Sequence, residues 1–247
     1  MSNPVISSLD PVGSHTLAVI SGAGHFNQWV YQQFREYLKG NILEIGSGIG
    51  NISQFVIDDG HSLTLSDTNE EYCHWLEKKY AGQTAVNAIL QIDLLDPEFS
   101  SVHKDYREKF DSIFLLNVIE HIEDDALAVK NCSYLLRPGG HLIMLAPAWQ
   151  YLFCQLDREL GHYRRYTQKT MTALFEQQQF QVINKKYFNI LGWMGWLISG
   201  KLLRHKMLRK NEMSLFDKLV VPAQLIDRLL FKITGLSVIV TGKKRID

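Results

Sequence analysis

Hydrophobic positions change period along this chain. Phe26, Trp29, Val30, Phe34, Tyr37 and Leu38 recur at helical spacing and Gly40 ends the run, which predicts a helix over 26–39. Short, nearly continuous apolar runs follow at 41–45, 62–66, 85–92, 112–117 and 141–146. Amphipathic stretches at 49–58, 70–79 and 124–136 separate them. Strand and helix in alternation, with strands apolar throughout, predict an α/β fold whose parallel sheet is covered on both faces. The first 25 residues hold Pro4, Pro11, Gly13, Gly22 and Gly24 and read as a turn-rich surface segment. Beyond Pro147 come a polar and aromatic stretch (149–166), a helix at about 168–178 and a strand at about 181–187. An apolar and basic excursion over about 189–235 precedes a last strand at 237–242, so the excursion reads as an insertion.

Composition narrows the class. The 247 residues are 46% hydrophobic and 21% charged, which suits a packed domain and argues against disorder. Lys+Arg and Asp+Glu are both 26, so no basic excess points to nucleic acid as a partner. Cys73, Cys132 and Cys154 are odd in number and far apart, giving neither a disulfide framework nor a metal-binding pair; no metal is expected. The N-terminal residues lack a basic start and a long apolar run, so a cytoplasmic, reducing setting is the expectation.

Chemistry concentrates in Leu43-Glu44-Ile45-Gly46-Ser47-Gly48-Ile49-Gly50-Asn51. An apolar strand runs into three alternate glycines and then a helix. Glycine there permits a tight turn and lets a ligand meet bare backbone at a helix N-terminus. The dinucleotide pattern G-x-G-x-x-G needs a glycine where Asn51 stands. The G-x-G-x-G spacing after an acidic strand residue instead resembles motif I of class I S-adenosylmethionine-dependent methyltransferases. Asp67 ends the second strand 17 residues past Gly50, near the spacing of a ribose-binding acid. The run Asp111 to Ile122, with Val118, Glu120 and His121, is similar to the D-x-I-x-x-x-x-V-x-E-H-I segment of small-molecule methyltransferases of the ubiquinone-biosynthesis type. Arg137-Pro138-Gly139-Gly140 resembles the turn before their fifth strand.

The resemblance covers about residues 41–147 and implies a Rossmann-like sheet of seven strands, mostly parallel, with the last antiparallel. It further implies S-adenosyl-L-methionine as cofactor, with Glu44, Gly46, Ser47, Gly48, Gly50, Asp67, Asp93, Leu94 and Asn117 around it. Asp93 would face the adenine amino group with Leu94 beside the ring. One domain is expected: a cap region over 1–40, the cofactor core over 41–147 and a substrate side over 148–247.

Displacement at a sulfonium methyl asks the protein mainly to align nucleophile and carbon, an effect of roughly 7–11 kcal/mol. A positioned base adds about 10²–10⁴-fold when the acceptor arrives protonated. His162 and His121 are the candidate bases, and Asp157 would orient His162. Some bacterial members of the superfamily carry a stretch similar to Asp157–Tyr166. Arg164, Arg165, Tyr166, Trp149 and Trp193 are the candidate acceptor contacts, the arginines as forks for an anionic group. A small, apolar or aromatic acceptor follows, with oxygen favoured as the receiving atom.

From Phe188 to Gly200 the chain is apolar for thirteen residues, short of the roughly 20 that span a bilayer. Lys201, Arg204, His205, Lys206, Arg209 and Lys210 follow. A lid over the acceptor, a packed or homodimer element and a peripheral membrane helix are all open readings of 188–210. Two other activities fit the same layered fold: an NAD-dependent oxidoreductase, and a non-catalytic, membrane-docked binding protein.

Overall fold

The computed structural model describes residues 11–202, 209–229 and 233–246. Seven strands form one sheet among the described residues: β1 (Ile42–Ile45), β2 (Leu63–Asp67), β3 (Val86–Gln91), β4 (Phe110–Leu116), β5 (Leu136–Pro147), β6 (Phe180–Phe188) and β7 (Ser237–Lys244). Their order is β3-β2-β1-β4-β5-β7-β6. β1 to β5 are mutually parallel, and β7 runs against both β5 and β6. The expected seven-stranded sheet with an antiparallel last strand is therefore present.

Helices α1 (Pro11–Ser21), α2 (Gly24–Gln32), α3 (Ser53–Asp58), α4 (Glu70–Lys79), α5 (Phe99–Val102), α6 (Asp125–Leu135), α7 (Gln155–Glu159), α8 (Gln168–Gln177), α9 (Ile190–Trp196), α10 (Lys210–Lys218) and α11 (Val220–Leu229) surround it. The two-residue period of the strands divides the core. Leu43, Ile45, Ile113, Leu115, Leu142 and Met144 pack toward α5, α6 and α8. Ile42, Leu63, Leu65, Phe114, Ile143 and Leu145 pack toward α2, α3, α4 and α11. Alternate residues of each central strand thus meet helices on opposite faces, which is why those strands carry no polar side.

Several expectations are corrected. Residues 11–21 are helical: Pro11 takes the first helical position, where its missing N–H is harmless, and Gly22 follows the last turn. The helix expected over 26–39 spans Gly24–Gln32 and gives way to a 3₁₀ turn, Arg35–Tyr37. Its Trp29 and Tyr31 are core residues. The helix after the glycine loop starts at Ser53, leaving 49–52 in turns. β5 begins directly after α6, at Leu136, with Pro138-Gly139-Gly140 inside an irregular stretch of its pairing with β4. Gly139 has φ 76° there. The insertion holds α9, a π-helical turn (Leu197–Leu202), α10 and α11; residues 203–208 and 230–232 of it lie outside the described residues.

Candidate active site at the carboxyl edge of the sheet

The glycine loop leaves β1 with φ of 71° at Gly46, 54° at Gly48 and 74° at Gly50, a region that residues with side chains seldom enter. Each glycine also faces a neighbour. A Cβ on Gly46 would lie 2.3 Å from Val118 Cγ2, and one on Gly48 would lie 3.0 Å from Leu17 Cδ1. Leu17 belongs to α1, whose backbone carbonyl at Leu17 also accepts a hydrogen bond from Asn51 Nδ2 (3.1 Å). The N-terminal helix therefore closes the outer side of the loop. Lys79 Nζ donates to the carbonyls of Ile49 (2.9 Å) and Gly50 (2.8 Å) and fixes its far end.

Asp67 ties the loop to β2. Its Oδ2 accepts from the Gly48 N–H (2.8 Å) and its Oδ1 from the Asn69 N–H (2.9 Å). Ser47 N–H continues the sheet by donating to the Ser66 carbonyl (2.8 Å). Glu44 is buried beneath, accepting from the Ser53 hydroxyl. Burial lifts its carboxyl to about 8, although the Ser53 hydrogen bond and the Lys79 ammonium act the other way. Glu44 is thus a support under the loop. Asp93 is exposed at the end of β3 and accepts from the Leu95 N–H (2.8 Å). The Leu94 side chain is in the core, and its carbonyl accepts from Asn131 Nδ2 (2.9 Å).

Backbone strain gathers on this edge. Asn117, Trp149 and Asn189, directly after β4 and β5 and β6, have φ of 54°, 67° and 70°. Such conformations persist where surrounding structure enforces them, commonly at functional sites. The Trp149 N–H bonds the Tyr166 carbonyl (2.8 Å), and its ring stacks on Tyr187 at 4.7 Å. Tyr151 lies 5.7 Å from Trp149 and accepts from Trp193 Nε1 (3.0 Å), so α9 roofs this aromatic group.

Asp157 is the polar centre beside it. Fully buried, it accepts from Arg165 Nε (2.7 Å) and Nη2 (2.9 Å), from the Cys154 N–H (2.9 Å), and is bonded to His162 Nδ1 (3.0 Å). Burial alone would raise its carboxyl, but the bonds from His162 and Arg165 hold it down to about 2. The His121 ring meets His162 edge-on at 4.6 Å. His121 is open to solvent at one side, yet desolvation and the neighbouring His162 keep its imidazole low, at about 4. Glu120, beside it in the chain, is fully buried.

The structure corrects the expected roles of three residues. Arg165 is buried in its pair with Asp157 and its guanidinium stacks over Trp196 at 4.8 Å. Arg164 pairs with Asp125 (2.8 Å) and donates to the Glu123 carbonyl. Tyr166 is a core residue whose hydroxyl donates to Asp125 (2.8 Å). All three are committed to the protein's own groups, so no free fork for an anion exists there. Leu17, Lys79, Tyr151 and Trp196 join the site without having been read as site residues from the sequence, whereas Glu120 stands at the site edge as its place after the fourth strand implies. The E-H pair and the tryptophans were visible signals; the rest depend on folding partners.

Glu44 gives a measurable consequence. The folded chain holds its proton up to about pH 8, whereas the unfolded chain releases it near 4.5. The folded state therefore binds more protons across that window, and stability falls as pH rises through it. In Glu44→Gln the fall between about pH 5 and pH 8 should shrink when denaturant midpoints are compared with wild type. An undiminished fall would mean that Glu44 ionises inside the fold as it does outside.

Comparison with known proteins identifies the frame. Residues 43–142 match the family model of a methyltransferase domain. The ubiquinone biosynthesis O-methyltransferase of Coxiella burnetii is 31% identical over 106 residues, 42% of this chain and 43% of the relative. That of Xylella fastidiosa is 27% identical over 103 residues, 42% of this chain and 40% of the relative. The chain thus matches less than half the length of these curated relatives. Among solved structures, phosphoethanolamine N-methyltransferase 2 of Haemonchus contortus, in complex with S-adenosylmethionine, superposes with a TM-score of 0.64 at 15% identity, covering 100% of this chain and 62% of that one. A S-adenosylmethionine-dependent methyltransferase of Archaeoglobus fulgidus gives 0.57 at 14% identity, covering 88% and 94%. Residues 43–142 thus match a methyltransferase domain, and the sheet has the fold of these S-adenosylmethionine-dependent methyltransferase structures.

Proposed function

We propose that this chain transfers the methyl group of S-adenosylmethionine to a small, apolar or aromatic acceptor, with a hydroxyl oxygen as the favoured receiving atom. The observation that carries the reading is a convergence on one edge: the glycine loop, Asp67 and Asn117 open where the aromatic group of Trp149 and the Asp157–His162 pair also lie. The residues fit the cofactor. Three glycines at 46–50 suit close approach, Asp67 is a carboxylate placed at the end of β2 beside that loop as a ribose ligand would be, and exposed Asp93 suits an adenine amino group. Bound there, the cofactor supplies a methyl carbon on a sulfonium whose departure leaves a neutral thioether.

The chain's own part is alignment and proton handling. Trp149, Tyr151 and Trp193 offer flat aromatic surfaces for the acceptor to lie against. The indole N–H groups of Trp149 and Trp196 are buried without a hydrogen-bond partner and are available to a polar atom of the acceptor. His162, whose ring Asp157 fixes, is the residue through which the acceptor hydroxyl is activated. The ubiquinone O-methyltransferase relatives support oxygen as the receiving atom. Hydride transfer with NAD, the other reading of a Rossmann-like loop, finds no support in the matched family model.

A second reading concerns location. No helix among the described residues is long and apolar enough to cross a membrane. Leu215 of α10, Leu219 just after it, and Val221, Leu225 and Leu229 of α11 are nevertheless exposed, each set at four-residue spacing. Residues 189–211 hold five Lys and Arg and no acidic residue, in a chain of zero net charge. Arg204, His205 and Lys206 of that run lie outside the described residues. An apolar face beside such a run suits the surface of an anionic bilayer, where each basic residue adds about 1 kcal/mol.

Two experiments test these readings. Asp67→Ala should weaken S-adenosylmethionine binding roughly 10- to 150-fold by calorimetry, for the loss of charge-assisted bonds worth about 1.5–3 kcal/mol. His162→Asn should lower turnover and leave that affinity nearly unchanged. Unaltered binding in the first, or equal losses of binding and turnover in the second, would overturn the assignment. The chain should also sediment with phosphatidylglycerol vesicles at low salt but not with phosphatidylcholine vesicles, and Val221→Glu with Leu225→Glu should release it. Failure to sediment, or the appearance of a dimer that the same pair of changes dissolves, would remove the membrane reading.

A further inference from the structure

The turn after β4 and the loop after α7 bring together groups that the sequence keeps 41 residues apart. Glu120, His121 and His162 each place one ligand-type atom so that the three lie within 4.8 Å of one another. Glu120 is 0% exposed, and neither of its carboxyl oxygens accepts a hydrogen bond from another residue. A buried carboxyl group left in that state is expensive, and native proteins almost always supply a partner. The nearest cation, Arg165, is already paired with Asp157 through both of its forks.

We infer that Glu120, His121 and His162 bind a divalent first-row transition metal ion. His162 Nδ1 is taken by Asp157 (3.0 Å), which leaves Nε2 as the ligating atom. Carboxylate–histidine–metal arrangements of this kind orient the ring and raise its basicity. Two imidazoles and one carboxylate favour Zn²⁺, Co²⁺, Fe²⁺ or Mn²⁺ over the oxygen-seeking Mg²⁺ and Ca²⁺. Exposure of His121 gives the ion a path in. Three protein ligands leave coordination positions open. A hydroxyl oxygen bound there releases its proton to water at a lower pH than it would in solution, and its electron pair is then available to carbon. This role rests on the proposed methyl transfer; the binding itself does not. Cysteine spacing does not point to such a site, because its ligands come from separate loops.

The test uses the full chain stripped of metal, with neither cofactor nor acceptor. Co²⁺ titration should give visible absorption saturating at one equivalent, and Zn²⁺ should abolish it. Glu120→Gln and His162→Asn should each weaken the Co²⁺ affinity at least tenfold, whereas His15→Asn should leave it unchanged. Should either site variant fail to fold, X-ray absorption of the Zn²⁺-loaded wild type decides, because two imidazoles are expected in its first coordination shell. No Co²⁺ binding up to about 1 mM, unaltered binding by folded variants, or a shell with fewer than two imidazoles overturns the inference. None of these metal-binding results bears on S-adenosylmethionine binding, which the Asp67→Ala calorimetry tests separately.

Discussion

Six strands that point the same way oblige the chain to leave the sheet six times on the same edge, and the chemistry of this molecule gathers there. Backbone groups at strand ends lose their ladder partners and must find others. At β1 and β2 they find the Asp67 carboxylate, which accepts from Gly48 and Asn69 and so joins two loops through one side chain. At β4, β5 and β6 the departing residues Asn117, Trp149 and Asn189 adopt left-handed backbone conformations. For tryptophan in particular such a conformation is held in place by its surroundings, here the Tyr166 carbonyl and the Tyr187 ring.

The second organising element is charge without water. Asp157 is buried with Arg165, and each would be destabilising alone; paired bidentately, they become a rigid strut between the loop after β5 and α7. The strut gives His162 a fixed orientation and gives Trp196 a cation to pack on. It also explains why the arginines of the Arg164-Arg165 pair do not face an anionic ligand. Their partners, Asp125 and Asp157, lie on neighbouring segments, and sequence spacing cannot show which carboxylate a guanidinium will reach.

Much of this was legible beforehand, for physical reasons. Continuous apolar strands bounded by glycine-rich turns announce a parallel sheet, and the acid at the end of β2 is conspicuous because it stands 17 residues past the glycine loop, where a strand gives way to a helix. Other features were hidden. Pro11 and Gly22 read as turn residues but bracket α1, since the same two residue types also begin and end helices. The six-residue α3 starts late because the loop completes its turns before the helix begins. Glu120 looked like part of an E-H pair of uncertain purpose, and only folding reveals that its carboxyl group is sealed in beside two imidazoles.

The most direct measurement of the central claim is calorimetric titration of the wild-type chain with S-adenosylhomocysteine and, separately, with NAD. The account predicts saturable one-to-one binding of the sulfur nucleoside and no heat beyond dilution from the dinucleotide. Saturable binding of NAD with none of S-adenosylhomocysteine would contradict it.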